Sequence, residues 1–162
     1  MNEEQLTKIK NELYNYGILL ERTGHFIFIN NYDSADDEED EFEININLNT
    51  QTIELYADCV TLNLNVSKLL IELFSMLDWD KFNESITIDE LKKDFKWQEI
   101  TLESDEKLYS IYNDDEDDEF AINIKKDTNK IQIITNREYV ELSCIVSELL
   151  VCFFKLLGGT NE

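Results

Sequence analysis

Residues 36–46 read DDEEDEFEINI and residues 114–124 read DDEDDEFAINI, identical at nine of eleven positions with an offset of 78. Runs of Asp and Glu carry little sequence information, so the match decides something only if it continues into apolar positions. It does. Upstream, Ile18, Leu20, Glu21, Phe26 and Ile29 align with Ile100, Leu102, Glu103, Leu108 and Ile111 at an offset of 82. Downstream, Leu62, Val66, Ser67, Leu69, Leu70, Phe74 and Leu77 align with Leu142, Val146, Ser147, Leu149, Leu150, Phe154 and Leu157 at an offset of 80. An apolar pattern repeated on both sides of an acidic run marks a duplicated folding unit, the feature to read before any element is assigned. The chain divides into two acidic α+β repeats, residues 1–82 and 83–162.

Each repeat opens with a helix. In the first, Asn2 caps, Gln5 is placed to complete a capping box, Leu6, Ile9 and Leu13 follow at helical spacing, and Gly17 ends the segment. In the second, Thr87 and Glu90 form the box, Ile86 and Leu91 staple the entry, and Phe95 continues the stripe. A hairpin follows in each, near 18–22 with 25–31 and near 99–104 with 107–112, turning at Thr23-Gly24 and Ser104-Asp105. Past the acidic run, Phe42, Ile44, Ile46 and Leu48 alternate with polar residues, as do Phe120, Ile122 and Ile124. That is a strand with one buried face. Further strands are expected near 52–56 and 130–135. Val60, Leu62 and Leu64 favour a short fifth strand, although Tyr139, Leu142 and Val146 also fit a backward extension of the helix after them. Each repeat closes with an apolar helix, Val66 to Leu77 and Cys144 to Leu157, the second apolar on nearly every face and so buried on most sides.

The expected fold class is α+β: two tandem α-β-β-β-β(-β)-α modules, antiparallel sheets each flanked by helices, related by a pseudo-twofold axis. With no Pro and four Gly in 162 residues there is no flexible linker, and Asp78 to Ser85 is the expected junction.

Charge is the other dominant feature. Thirty-six Asp and Glu against 14 Lys and Arg give a net charge of -22. Direct nucleic-acid binding is thereby excluded as an expectation. No apolar run reaches the ~18 residues of a membrane span, and none follows the N-terminus as a signal peptide requires, so a cytoplasmic location with no membrane partner is expected. Residues 1–82 carry 17 acids and 5 bases (-12), and residues 83–162 carry 19 acids and 9 bases (-10). The excess is therefore displayed twice by a folded scaffold, not once by a tail. Self-repulsion on this scale costs stability, and solubility needs far less of it, which points to a partner. Candidate partner-binding residues are Asp33, Asp36, Asp37, Glu38, Glu39 and Asp40 in the first run, and Asp114, Asp115, Glu116, Asp117, Asp118 and Glu119 in the second. Duplex DNA carries one charge per ~1.7 Å, so 22 charges match roughly 37 Å of duplex. That is close to the ~40 Å diameter of a compact chain of this length.

In DDEEDEFE, DDEDDEFA, the small size and the Asn-, Ile- and Lys-rich, proline-free composition, the chain resembles phage-encoded DNA-mimic inhibitors of the anti-CRISPR, anti-restriction and uracil-glycosylase-inhibitor type. The resemblance implies a function class, with no residue roles carried over. It implies inhibition of a nuclease, first of all a CRISPR nuclease, by occupying its positively charged nucleic-acid-binding or catalytic surface. The alternative is an immunity protein or chaperone that binds a basic protein without mimicry.

Chemistry is less well supported. Acid–base catalysis needs one carboxyl with a raised pKa in a shaped pocket, which clustered exposed acids do not supply. His25, the only histidine, sits at a hairpin turn, and no phosphate-cradling glycine loop is present. No enzyme activity, cofactor or metal is expected, since the acidic runs lack the glycine and spacing of an EF-hand loop. Cys59, Cys144 and Cys152 lie in apolar runs and read as reduced core residues. Tyr14, Tyr16, Trp79, Phe82, Phe95, Trp97 and Tyr109 read as core first and interface anchors second.

Overall fold

The structure, a computed structural model, describes residues 2–35, 40–77, 79, 86–113, 119–136 and 138–159. It is α+β, with four helices and two five-stranded antiparallel sheets among the described residues. The first repeat supplies α1 (Glu3–Tyr14), β1 (Leu19–Thr23), β2 (Phe26–Asn30), β3 (Phe42–Asn47), β4 (Thr52–Ala57), β5 (Cys59–Thr61) and α2 (Leu64–Ser75). The second supplies α3 (Ile88–Trp97), β6 (Ile100–Ser104), β7 (Leu108–Asn113), β8 (Phe120–Lys125), β9 (Ile131–Thr135), β10 (Val140–Glu141) and α4 (Cys144–Gly159), in the same order. The expected junction falls at 78–85, where only Trp79 lies within the described residues.

Helix starts follow their caps. The Asn2 side chain accepts from the Glu4 and Gln5 amides at 3.0 and 3.2 Å, and Thr87 Oγ1 accepts from the Glu90 amide at 3.2 Å. The reciprocal half of the first capping box is redirected, because Gln5 Nε2 donates to Glu72 on α2 at 3.3 Å. Asn63 and Ser143 cap α2 and α4 at equivalent positions, so α2 begins two residues before the expected Val66.

Alternation sets the sheet faces. Phe42, Ile44 and Ile46 are buried on β3, as are Phe120, Ile122 and Ile124 on β8, with the intervening residues turned outward. Alternation does not set the partners of the fifth strands, and these are exchanged. The strand orders are β1-β2-β3-β4-β10 and β5-β9-β8-β7-β6, so each repeat lends its shortest strand to the other's sheet. Val140 pairs with Leu55, and Val60 pairs with Ile133.

Reciprocal hydrogen bonds lock the exchange. Ser147 Oγ on α4 accepts from the Ile53 amide on β4, and Ser67 Oγ on α2 accepts from the Ile131 amide on β9, both at 3.0 Å. Equivalent residues also meet each other, as they must on a twofold axis. Phe74 stacks on Phe154 with ring centroids 4.7 Å apart and planes 12° from parallel. Thr135 Oγ1 accepts from the Ala57 amide at 3.0 Å and donates to the Ala57 carbonyl at 2.7 Å. Around the Phe pair, Ile44, Ile53, Leu55 and Leu70 face Ile122, Ile131, Ile133 and Leu150, four matched pairs in one core shared by both repeats.

The symmetry reaches the backbone. Gly17 and Glu99, equivalent at an offset of 82, both take positive φ (76° and 61°), as do Gln51 and Asn129 at an offset of 78 (57° and 61°). A Cβ on Gly17 would lie 2.6 Å from both Cβ and Oγ of Ser34. Gly17→Ala is therefore expected to lose about 1–3 kcal/mol, from backbone strain plus displacement of Ser34. Glu99→Gly is expected to gain up to about 1 kcal/mol, since glycine adopts that conformation freely. Chemical denaturation of both variants checks the pair of opposite signs.

Candidate partner-binding end

The two acidic runs occupy equivalent connections, β2 to β3 and β7 to β8. Each is closed at its base by an asparagine. Asn31 Oδ1 accepts from the Phe42 amide at 2.8 Å while its Nδ2 donates to the Asp40 carbonyl at 2.8 Å. Asn113 Oδ1 accepts from the Phe120 amide at 2.9 Å. The first run starts as a turn pinned to the end of α1, where Ser34 Oγ donates to the Gly17 carbonyl at 2.7 Å.

Register brings the runs together. Phe42, which ends the first, pairs with Ala57; Ala57 is bonded to Thr135; and Thr135 pairs with Phe120, which ends the second. Two antiparallel pairings and one side-chain bridge place the bases of the two runs within about 18 Å of each other. The described bases of both connections therefore lie at one end of the molecule, with Asp33, Asp40, Glu41 and Glu119 among the described residues beside them. The connections at this end (31–41, 58, 114–119 and 136–139) carry fifteen Asp and Glu against one Arg. The hairpin connections at the opposite end (24–25, 48–51, 105–107 and 126–130) hold Lys107, Lys126 and Lys130 against Asp105, Glu106 and Asp127, and Arg22 beside them pairs with Glu3. The connections at the two ends thus differ sharply in formal charge. At the less acidic end, Asp105 is held below the usual carboxylate range, first by the Leu108 and Lys107 amides it accepts from, each at 2.7 Å.

Of the candidate residues, Asp33, Asp40 and Glu119 are described and exposed. Asp36, Asp37, Glu38, Glu39, Asp114, Asp115, Glu116, Asp117 and Asp118 lie outside the described residues.

A second group of residues at this end joins positions far apart in sequence. Tyr32 Oη donates to Glu43 Oε2 at 3.1 Å and lies 3.3 Å from Tyr139 Oη. Tyr139, 48% exposed, stacks on Tyr56 with centroids 4.9 Å apart. Glu43 and Tyr56 are register partners on the outer face of the first sheet, and the adjacent pair is Asn45 with Glu54, where Asn45 Nδ2 donates to Glu54 Oε1 at 2.8 Å. Asn45 Oδ1 is buried without a hydrogen-bond partner. The Tyr139 phenol is held above its usual pKa, chiefly by its hydrogen bond to Glu43. Tyr32 is pushed up further, first by burial, then by Tyr139 and Glu43. Burial and hydrogen bonding dominate these shifts, with the charge of Glu43 a smaller contribution to each.

Several core expectations are corrected. Phe95 and Trp79 are buried, but Tyr14, Tyr16 and Trp97 are 69%, 42% and 84% exposed. They sit at the C-terminal ends of α1 and α3, past the last inward position of each helix, and those ends adjoin the acidic runs through Gly17 and through Ile100, which pairs with Asn113. Phe82 lies outside the described residues. Cys152 is buried and Cys144 half-buried, whereas Cys59 is exposed because only Val60 of its three-residue strand points inward.

Among the described residues, no group of three or more His, Cys, Asp or Glu is arranged to hold a metal ion, and no helix is long and apolar enough to cross a membrane. No protein-family model, curated protein or solved structure matches the chain.

Proposed function

We propose that this protein is a small acidic inhibitor whose charged end binds the positively charged nucleic-acid-binding or catalytic surface of a nuclease, as anti-CRISPR and other anti-defence DNA mimics do. One observation supports the reading: the pairing Phe42, Ala57, Thr135, Phe120 brings to one end of the molecule the bases of the two connections that carry the acidic runs, 78 residues apart in sequence. A spacing of at most about 18 Å between their bases is of the same order as the ~12 Å major groove of a duplex. Charge concentrated in this way steers encounter with a basic cleft and competes with nucleic acid for it. The exposed aromatics at the same end favour a protein surface as the counterpart, which the second reading, an immunity protein or chaperone for a basic protein, shares.

The test is cleavage by a guide-loaded CRISPR nuclease titrated with the protein, with duplex DNA as competitor. Inhibition that duplex DNA relieves, and that weakens as salt rises, supports mimicry. Binding that coexists with duplex supports the second reading. Converting residues 36–40 to Asn and Gln is expected to leave the melting temperature unchanged or higher, because it removes like-charge repulsion. It is expected to weaken inhibition about tenfold, about 1.4 kcal/mol, with the same change at 114–119 adding to it. A variant that melts lower yet inhibits normally would mean that the acids are structural.

A further inference from the structure

The duplication supplies an internal control. Core positions stay matched between repeats, Ile44 with Ile122, Ile53 with Ile131 and Phe74 with Phe154, because both halves must fill the same shared interior. The outer sheet faces stay matched only in part: Asn45 and Asn123 are retained and bond their neighbours Glu54 and Gln132 alike, at 2.8 and 2.9 Å, but the residues around them differ. Glu43, Glu54, Tyr56 and Tyr139 on the first sheet correspond to Ala121, Gln132, Ile134 and Cys59 on the second. Folding makes the same demands of both faces, so the contrast reflects a task carried by one of them. The first face combines a stacked tyrosine pair, a third phenol and two carboxylates, the group that cations bind best. An aromatic face attracts a cation through its quadrupole, and carboxylates beside it supply hydrogen-bond acceptors.

We propose that Tyr32, Tyr56 and Tyr139, with Glu43 and Glu54, form a guanidinium-binding site that takes an arginine side chain from the basic protein partner. The proposal rests on the functional reading above and adds which side chain the partner must present. Arginine fits better than lysine for two reasons. Its planar, weakly hydrated guanidinium stacks on a ring such as the half-exposed Tyr139, and its fork of donors suits the carboxylates of Glu43 and Glu54, which share a sheet face with Tyr56 beneath that ring. Lysine offers a compact, strongly hydrated point charge that gains little from a flat surface. The site is already ordered without an occupant. Tyr32 Oη bonds Glu43, Tyr56 underlies Tyr139, and Asn45 holds Glu54, so little side-chain freedom remains to be lost on binding.

The test uses the full chain and two peptides of equal charge, nona-arginine and nona-lysine, in calorimetric titrations at low and physiological salt. Nona-arginine is expected to bind about tenfold more tightly. Tyr139→Ala is expected to reduce that preference to about twofold while leaving nona-lysine binding unchanged, and Tyr139→Phe, which keeps the ring, should retain most of it. Glu54→Gln, which installs the residue of the second repeat, should weaken nona-arginine several-fold and serves if Tyr139→Ala does not fold. Cys59→Ala, at the matching position of the other sheet, should change nothing. Equal affinity for the two peptides, or a preference that survives both Tyr139→Ala and Glu54→Gln, overturns the site and leaves the basic-partner reading intact. Failure of both peptides to bind at low salt overturns both.

Discussion

Phe154→Ala is expected to destabilise the protein by about 3–5 kcal/mol, a large share of the total for a chain of this size. Phe154 is 3% exposed and stacks on its own counterpart, Phe74. Around the pair stand Leu70, Leu150, Ile53 and Ile131 from both repeats. Truncation removes the buried ring and opens a cavity that two sheets and two helices border, and such a junction cannot collapse by moving one element. Phe74→Ala is expected to cost a similar amount. The double variant should cost less than the two added together, because the first truncation already abolishes the stacking contact. Urea denaturation of the three variants gives the comparison. A loss below about 1 kcal/mol for Phe154→Ala would mean that the repeats do not share the core described.

The next largest effect is expected from a single oxygen atom in each repeat. Ser67→Ala and Ser147→Ala remove the acceptors of the Ile131 and Ile53 amides, and both serines are fully buried. Each change leaves a strand N–H in the interior with no partner, which costs about 1–3 kcal/mol. The two amides belong to different strands in different sheets and share no acceptor, so the double variant should lose roughly the sum. Hydrogen exchange at Ile53 and Ile131 offers a local readout. In Ser147→Ala the Ile53 amide should exchange faster, while Ile131 keeps its protection relative to global unfolding. Equal loss of protection at both amides would show that the serines act on overall stability alone.

The parts of this architecture legible in the sequence are those with local causes. The caps at Asn2 and Thr87 and the alternation through Phe42, Ile44 and Ile46 each depend on neighbouring residues, and the elements they predict are present. The exchange of fifth strands was not legible. Val60 and Val140 point inward whichever sheet receives their strands, so the apolar pattern is the same for either pairing. The exposure of Tyr14, Tyr16 and Trp97 was missed because each stands within one helical turn of a buried residue, and composition says nothing about which side of the stripe it falls on. The tyrosine cluster was beyond reach in the same way. Tyr32 and Tyr139 are 107 positions apart, and only the passage of β10 into the first sheet brings them together. Its one sequence trace is the mismatch between repeats: once the core positions are aligned, Glu43 against Ala121 and Tyr56 against Ile134 stand out as departures.

The strand exchange also bears on how the chain is made. During synthesis the first repeat leaves the ribosome with β4 unpaired along one side, because its neighbour β10 begins at Val140 and is translated some eighty residues later. An open strand edge is a site for pairing with other nascent chains. Over that interval the emerging segment already carries its -12, and mutual repulsion between copies guards the edge until the missing strand arrives. The charge of the first repeat is therefore expected to limit self-association of the half-built sheet before any partner is met.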